Sequence, residues 1–306
     1  VIVDSFLREL KKFSLVTQET NENSTSTFSI HRNTQQAIQT YFTTLMKHSN
    51  DQQYLHNIST MLEDYIHNQI KNDNLGKIQL LTLRIEAIIS HDNLFTELDI
   101  ENLRYNLGSC YFHLSNYAKA KDLLEQSLTA YEKYYGENHI RTAKTIARLA
   151  AVHRNTGNYQ KSKDMFEKAI IVYKKYYGDW HPETAWIYVY LGSVYRHYGD
   201  YDKSIKLLQN GFDIYESHYT KKHIETARAS AYLAIVYKDL GHYQEAKTLL
   251  EEALKYYTAF YGNKHTKTAW LSVNLACVYR NLGNSDQAIK LSRKCVDIRS
   301  YWSYLY

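Results

Sequence analysis

The sequence predicts an all-α protein in which pairs of antiparallel helices stack into a solenoid. Proline occurs once in 306 residues, which favours long helices with few breaks. Two helical hydrophobic patterns alternate along the second half of the chain. A motif returns there every 42 residues. It consists of two aromatic residues, glycine (threonine in one copy), histidine and threonine. A fixed period of this length indicates stacked units. The histidines of the motif are His139, His181, His223 and His265.

The chain begins with a segment that does not follow this period. Residues 1–48 are predicted to form a helix at about 1–12, a β-hairpin and a second helix at about 34–47. The hairpin would pair residues 13–16 with 27–31 across a polar stretch at 20–24. Residues 49–96 are predicted to be a helical spacer, with helices near 51–70 and 75–90.

Residues 97–306 are predicted to contain five units of 42 residues, each a pair of helices. A degenerate unit at 97–115 and 117–134 comes first. The first helices of the regular units are predicted at 139–156, 181–198, 223–240 and 265–282, and their partners at 159–176, 201–218, 243–260 and 285–302. A glycine between the two helices of each regular unit allows the left-handed turn that ends a helix. Small residues such as Gly192 and Ser204 recur where helices must cross closely.

The spacing of these residues resembles the tetratricopeptide repeat. The pattern is carried by Leu191-Gly192, Tyr195, Gly199-Asp200-Tyr201 and Ser204. The usual unit of that repeat is 34 residues long, and the unit of 42 is similar to the long-helix variant of kinesin light chain and its relatives. That variant carries a Gly-x-x-His-Pro-x-Thr-Ala element, which residues 178–185 match. The resemblance implies a right-handed superhelix whose first helices line a concave face.

The front end resembles a different family. Residues 7–16 and 28–38 are similar to the end of the winged helix that follows the nucleotide-binding domain in NB-ARC signalling ATPases of the STAND class. In that family such a string leads into a helical spacer and then a repeat array. The resemblance implies a small α+β winged-helix remnant at 1–48 and a nucleotide-binding domain upstream. The sequence itself contains no Gly-x-x-x-x-Gly-Lys-Ser/Thr phosphate loop.

Three positions of each first helix line the groove in related repeat arrays. The second position reads Asn102, Lys144, Trp186, Arg228 and Trp270. The sixth reads Asn106, Arg148, Tyr190, Tyr232 and Asn274. The twelfth reads Phe112, Arg154, Arg196, Lys238 and Arg280. These positions hold seven cations and four Trp or Tyr residues, and Asp239 is the only acid found among neighbouring inward positions. This composition predicts a groove for a peptide rich in acidic and aromatic residues. The alternative is that the twelfth-position cations face water.

The charge is uneven along the chain. Residues 1–96 carry 8 Lys and Arg against 10 Asp and Glu, and the remainder carries 29 against 22. The basic repeat half therefore favours an acidic partner, although a lysine-rich outer face would give the same count. Nucleic acid is the less favoured partner, because the basic excess is modest and no nucleic-acid motif accompanies it.

Several classes of protein are excluded or disfavoured. The sequence contains no run of 18 apolar residues, the length that would predict a membrane span. Its three sparse cysteines favour a reducing, cytoplasmic compartment. Adjacent repeats lie roughly 10 Å apart, too far to share a metal ion between periodic histidines, so these are expected to be structural. No nucleophile–base pair, carboxylate pair or cofactor motif is visible. We therefore expect neither catalysis nor a cofactor.

The two resemblances together imply the sensor and autoinhibitory region of a STAND signalling protein. The array would contact its own nucleotide-binding domain at rest, and a peptide or protein in the groove would release that contact. Two alternatives remain open. One is an adaptor like kinesin light chain that binds cargo proteins in the same groove. The other is a peptide-sensing transcription regulator with its own DNA-binding front end.

Overall fold

The computed structural model describes residues 16–20, 26–30, 63, 65–66, 69–70, 75–89 and 96–293. The predicted helices at 1–12 and 34–47 lie outside these residues, as does the second half of the last predicted helix. Within the described residues, no helix is long and apolar enough to cross a membrane.

Two short strands are described near the N-terminus. β1 (Val16–Thr20) pairs antiparallel with β2 (Ser26–Ile30), and Val16 lies opposite Ile30. A hairpin was expected here, but its first strand begins three residues later than predicted and extends to the start of the stretch assigned to the loop. β-Branched Val16, Thr17 and Thr20 favour the extended backbone. A hairpin alone does not make a winged helix, so the α+β winged-helix prediction for 1–48 is not supported by the described residues.

The helices of the array repeat with the predicted period. Helical residues at 63, 65–66 and 69–70 and helix α1 (Leu75–Ile89) precede the array. The first helices of the five units are α2 (Glu97–His113), α4 (Ile140–Asn155), α6 (Pro182–His197), α8 (Ile224–Asp239) and α10 (Thr266–Asn281). Their partners are α3 (Tyr117–Tyr135), α5 (Tyr159–Tyr177), α7 (Tyr201–Tyr219), α9 (Tyr243–Tyr261) and α11, of which residues 285–293 are described. The predicted array of helix pairs is confirmed for these residues, with bounds within two residues of the prediction.

The recurring sequence motif forms the connection between units. Between α5 and α6, the Tyr177 ring stacks on His181 with centroids 4.7 Å apart. The His181 Nδ1 atom accepts a hydrogen bond from the Glu183 backbone N–H at 3.1 Å and so caps α6. The Thr184 hydroxyl donates to the Gly178 carbonyl at 2.8 Å. The same cap, aromatic stack and threonine bond occur at the other three copies of the motif.

The periodic histidines therefore have a structural role, because each uses its Nδ1 atom to cap the next first helix. In the part of the chain that the structure describes, no group of three His, Cys, Asp or Glu side chains could hold a metal ion.

Small residues recur where the two helices of a unit cross. A Cβ atom at Gly192 would lie 2.8 Å from Leu208 Cγ and 3.1 Å from the Ser204 carbonyl oxygen. The Ser204 hydroxyl donates to the Gly192 carbonyl at 2.8 Å, and Ser162 donates to Ala150 in the preceding unit. Close backbone approach and a hydrogen bond between the helices thus explain why these two positions stay small.

The cysteines that the structure describes are free. Cys110 is fully buried in α2 and Cys277 is partly buried in α10. Burial raises the pKa of the Cys110 thiol to about 12, against a smaller lowering effect from Arg148. A thiol in this state packs as a small apolar group. Cys295 lies outside the described residues.

Candidate functional site

Side chains from all five first helices form one continuous row. The Arg148 guanidinium lies 5.6 Å from the Phe112 ring centre and 5.3 Å from that of Trp186. The row continues through ring contacts of 4.6 Å between Trp186 and Tyr190, 6.5 Å between Tyr190 and Tyr232, and 5.6 Å between Tyr232 and Trp270. We refer to this set as the aromatic–cation ladder; its members are Phe112, Arg148, Trp186, Tyr190, Tyr232 and Trp270. The structure thus brings together five of the ten predicted second- and sixth-position residues, and Phe112 from the twelfth position.

Arg154 ties three units together beneath the ladder. Its Nη1 atom donates to the Ser193 hydroxyl at 3.0 Å and to the Tyr232 hydroxyl at 2.9 Å. Its guanidinium also lies 4.6 Å from the Tyr190 ring centre. Burial alone would raise the pKa of Tyr232, but the neighbouring Arg154 charge and its hydrogen bond lower that pKa overall. This twelfth-position arginine is partly buried and holds ladder residues through these contacts.

Three further predicted cations also have partners inside the array. Arg196 forms an ion pair with Asp239 of the next unit at 2.6 Å. Lys238 donates to the Asn274 side chain at 3.0 Å. Arg228 pairs with Glu225, one turn earlier on α8, at 3.0 Å. The sequence suggested a row of cations open to a ligand. The structure corrects this picture, because much of that charge is balanced by contacts within or between units.

The remaining predicted residues differ in their surroundings. Lys144 lies over the Tyr177 ring at 5.8 Å. Asn274, which accepts from Lys238, also donates to the Trp270 carbonyl at 2.9 Å. Arg280 is exposed near the end of α10 and does not line the cavity described next.

A cavity of about 220 Å³ lies beside the ladder. Its walls include residues of all five units, with Lys267 from the fifth, and the helical segment before α1, which contributes Ile66 and Ile70. Predicted groove residues in its lining are Asn106, Lys144, Arg148, Trp186, Tyr190 and Arg228. Sequence reasoning missed the tyrosines from the second helices, which are Tyr173, Tyr215, Tyr219 and Tyr261. Their 42-residue spacing was a usable signal, since Tyr173 and Tyr215 share one phase of the repeat and Tyr219 and Tyr261 another.

Acidic residues are also present at the cavity. Glu63, Glu183 and Glu225 line it, so the expectation that Asp239 is the only inward acid was wrong. Glu183 and Glu225 lie in the first turns of α6 and α8, where a carboxylate is favoured by the helix dipole.

The sequence matches the tetratricopeptide repeat family over residues 99–170, 144–217 and 225–300, which together cover more than half of the chain. The chain therefore belongs to the tetratricopeptide repeat family. This confirms the resemblance inferred from the leucine, glycine and tyrosine spacing. No curated protein matches the sequence.

Solved structures share this fold. A Rap protein complexed with competence and sporulation factor gives a TM-score of 0.63 at 13% identity, covering 81% of this chain and 78% of that one. The Rap conjugation gene regulator of plasmid pLS20, in complex with the Phr* peptide, gives 0.59 at 16% identity, covering 82% and 76%. A protein of Podosopora anserina described as a kinesin light chain with nearly identical TPR-like repeats gives 0.50 at 21% identity, covering 66% and 95%. At these identities the likeness shows the fold alone.

Proposed function

We propose that this chain is a non-catalytic module that binds a peptide or an extended protein segment along the aromatic–cation ladder. The observation that carries this proposal is the continuity of the ladder, which joins second-, sixth- and twelfth-position residues of five successive first helices. Trp, Tyr and Arg are the side chains most often found at the centres of binding interfaces. A row that crosses every unit suits a ligand that is long in one direction.

The Rap structures support this class of ligand. One is complexed with competence and sporulation factor and the other with the Phr* peptide, and both share the helix-pair architecture over about four fifths of this chain. Their identities to this chain are too low to transfer a contact residue by residue. They support the proposal as examples of a similar array with a bound partner.

We propose an acidic and aromatic composition for the ligand. Lys144 and Arg148 face the cavity, and Arg280 is exposed farther along the array. Arginine suits carboxylates because its planar fork donates two parallel hydrogen bonds. Exposed Trp270 offers an aromatic face at the other end of the ladder, with 39% of its surface exposed.

We further propose that the array serves as the sensor and autoinhibitory part of a STAND signalling protein. This finer proposal rests on the resemblance of residues 1–48 to a winged-helix end, with which the hairpin of β1 and β2 is compatible. The same ladder would suit a kinesin-light-chain-like adaptor, and the structural likeness to such a protein favours that alternative. Purification of the natural full-length protein with ATP and with ADP would separate the two: nucleotide-dependent assembly would support the sensor, and its absence would favour the adaptor.

The groove assignment can be tested with two tryptophans that are both exposed. Random peptides would be selected on the wild-type protein and their affinities measured for Trp270→Ala and for the control Trp180→Ala. Trp270 belongs to the ladder, whereas Trp180 is 57% exposed at a connection between units. We expect at least a tenfold loss for Trp270→Ala, the usual effect of removing an interface anchor, and less than a twofold change for Trp180→Ala. Equal affinities for both variants and the wild type would refute the assignment.

A further inference from the structure

One position near the end of each first helix holds tyrosine in four units and histidine in the second unit. The residues at this position are Tyr111, His153, Tyr195, Tyr237 and Tyr279. The Tyr195 hydroxyl donates to Glu167 of the preceding second helix, α5, at 2.5 Å. Tyr279 donates in the same way to Glu251 of α9, and a third such bond joins α2 to α1. In these units the tyrosine hydroxyl therefore bonds one helix pair to the helix before it.

The site of His153 keeps the charged neighbours of a tyrosine site. At Tyr195, the Lys163 and Lys203 ammonium groups lie 5.7 Å and 5.2 Å from the ring centre, and Glu167 accepts from the hydroxyl. The same residue types occur 42 positions earlier, as Lys121, Lys161 and Glu125. Both of these lysines contact the Glu125 carboxylate, at 3.8 Å and 3.9 Å. Histidine has no hydroxyl to donate to that acid, so the second unit lacks the bond that Tyr195 makes in the third.

The His153 ring is buried between helices and has no hydrogen-bond partner. The residue is 4% exposed, and neither ring nitrogen forms a hydrogen bond within the described residues. Lys121 and Glu125 face it from α3 and Lys161 faces it from α5, so its surroundings carry a net positive charge. Burial, followed by the charges of Lys161 and Lys121, lowers the pKa of His153, and the Glu125 charge opposes this effect. The packing of these helices is therefore suited to a neutral ring and opposes a charged one.

We propose that His153 makes the joint between the first and second units, formed by α3, α4 and α5, sensitive to pH: protonation of its ring loosens this joint. Below about pH 6.5, the ordinary pKa of histidine, the unfolded chain binds more protons at this residue than the folded chain does. The stability that the neutral ring contributes is therefore present above that pH and is lost as the pH falls through the lowered pKa of the folded state. The joint also positions part of the site, because α4 carries Arg148 of the ladder and Arg154 beneath it.

The test exchanges the two residue types between two equivalent sites. His153→Tyr places a hydroxyl beside Glu125, and Tyr195→His places an imidazole beside Glu167. Urea denaturation midpoints of the wild type and both variants would be measured at about pH 8 and about pH 5, the range over which histidine changes charge. The other titrating groups, including buried His113, are common to the three proteins. A difference in how far the midpoint moves therefore reports the exchanged residue.

We expect the midpoint to fall on acidification in the wild type, to fall less in His153→Tyr, and to fall more in Tyr195→His. The hydroxyl of His153→Tyr stays neutral throughout this range, because the ordinary pKa of tyrosine is about 10. An equal fall in the wild type and His153→Tyr would overturn the inference, and so would an equal fall in the wild type and Tyr195→His.

A measurement on the wild type alone decides the question if either variant does not fold. The ring resonance of His153 would be titrated by nuclear magnetic resonance, and amide hydrogen exchange would be followed along the array at the same two pH values. After correction for the intrinsic pH dependence of exchange, we expect protection of α3 and α4 to fall on acidification more than that of α8 and α9. A ring that titrates at or above about pH 6.5, or protection that falls equally in all four helices, would overturn the inference.

Discussion

Thr220 is the residue whose replacement most clearly tests the connecting motif. The motif has glycine at this position in its other three copies, Gly136, Gly178 and Gly262, with φ between +82° and +90°. Thr220 adopts the same conformation, with φ +88° and ψ 162°. This region is essentially restricted to glycine and costs other residues about 1–3 kcal/mol. The neighbouring bonds hold the geometry, since the Thr220 carbonyl accepts from the Thr226 hydroxyl at 2.9 Å.

We therefore expect Thr220→Gly to stabilise the protein. Relief of the strain contributes about 1–3 kcal/mol, and the greater freedom of glycine in the unfolded chain removes about 0.4–1 kcal/mol. The net gain in the free energy of unfolding is centred on about 1.3 kcal/mol, within a range of about 0–2.6 kcal/mol. Urea titrations followed by circular dichroism would measure it, with the midpoint compared directly because repeat arrays can depart from two-state behaviour.

The reciprocal change provides the matched comparison. Gly178 has φ +90°, and a Cβ atom there would meet nothing within 4 Å, so Gly178→Thr introduces backbone strain without a clash at Cβ. We expect it to destabilise the array by about 1–3 kcal/mol. If Thr220→Gly lowers the midpoint, or if both changes have no effect, the argument that the motif imposes this backbone geometry is refuted.

Three other predictions concern the cap, the helix crossing and the ladder. His181→Ala should cost about 0.5–2 kcal/mol of stability through loss of the α6 cap. The control His242→Ala should cost little, because His242 makes no side-chain cap bond. Equal losses in thermal melts of the two variants would show that the cap is unimportant. Gly192→Ala should destabilise by about 1–3 kcal/mol, since its Cβ would lie 2.8 Å from Leu208 Cγ, and an unchanged denaturation midpoint would contradict this. Arg154→Met should raise the pKa of Tyr232. The substitution removes the charge and the hydrogen bond that lower this pKa and leaves the burial that raises it. A spectrophotometric tyrosine titration that matches the wild type would count against that assignment.

The repeat architecture could be predicted because one physical requirement recurs at each unit. Gly192 and Ser204 must be small for their helices to approach, and the backbone at Gly178 needs a conformation that glycine adopts freely. Such local requirements leave a residue type at a fixed spacing. The helix bounds followed directly from that spacing.

The charge balance of the groove could not be predicted in the same way. Whether Arg196 is open to a ligand depends on Asp239, which lies one unit farther along the chain and contacts it only after the units stack. Glu183 and Glu225 line the cavity from the first turns of α6 and α8, three residues before the predicted second groove position. The segment containing Ile66 lies outside the repeat, so no periodic signal could place it against the cavity.

The location of a bound peptide is the measurement that tests the central claim most directly. A peptide selected on the wild-type protein would be titrated while the indole N–H resonances of the tryptophans are followed by nuclear magnetic resonance. Trp186 and Trp270 belong to the ladder, and Trp180 does not. We expect the resonances of Trp186 and Trp270 to shift with one common dissociation constant and that of Trp180 to stay in place. A shift of Trp180 with no change at Trp186 or Trp270 would contradict the account.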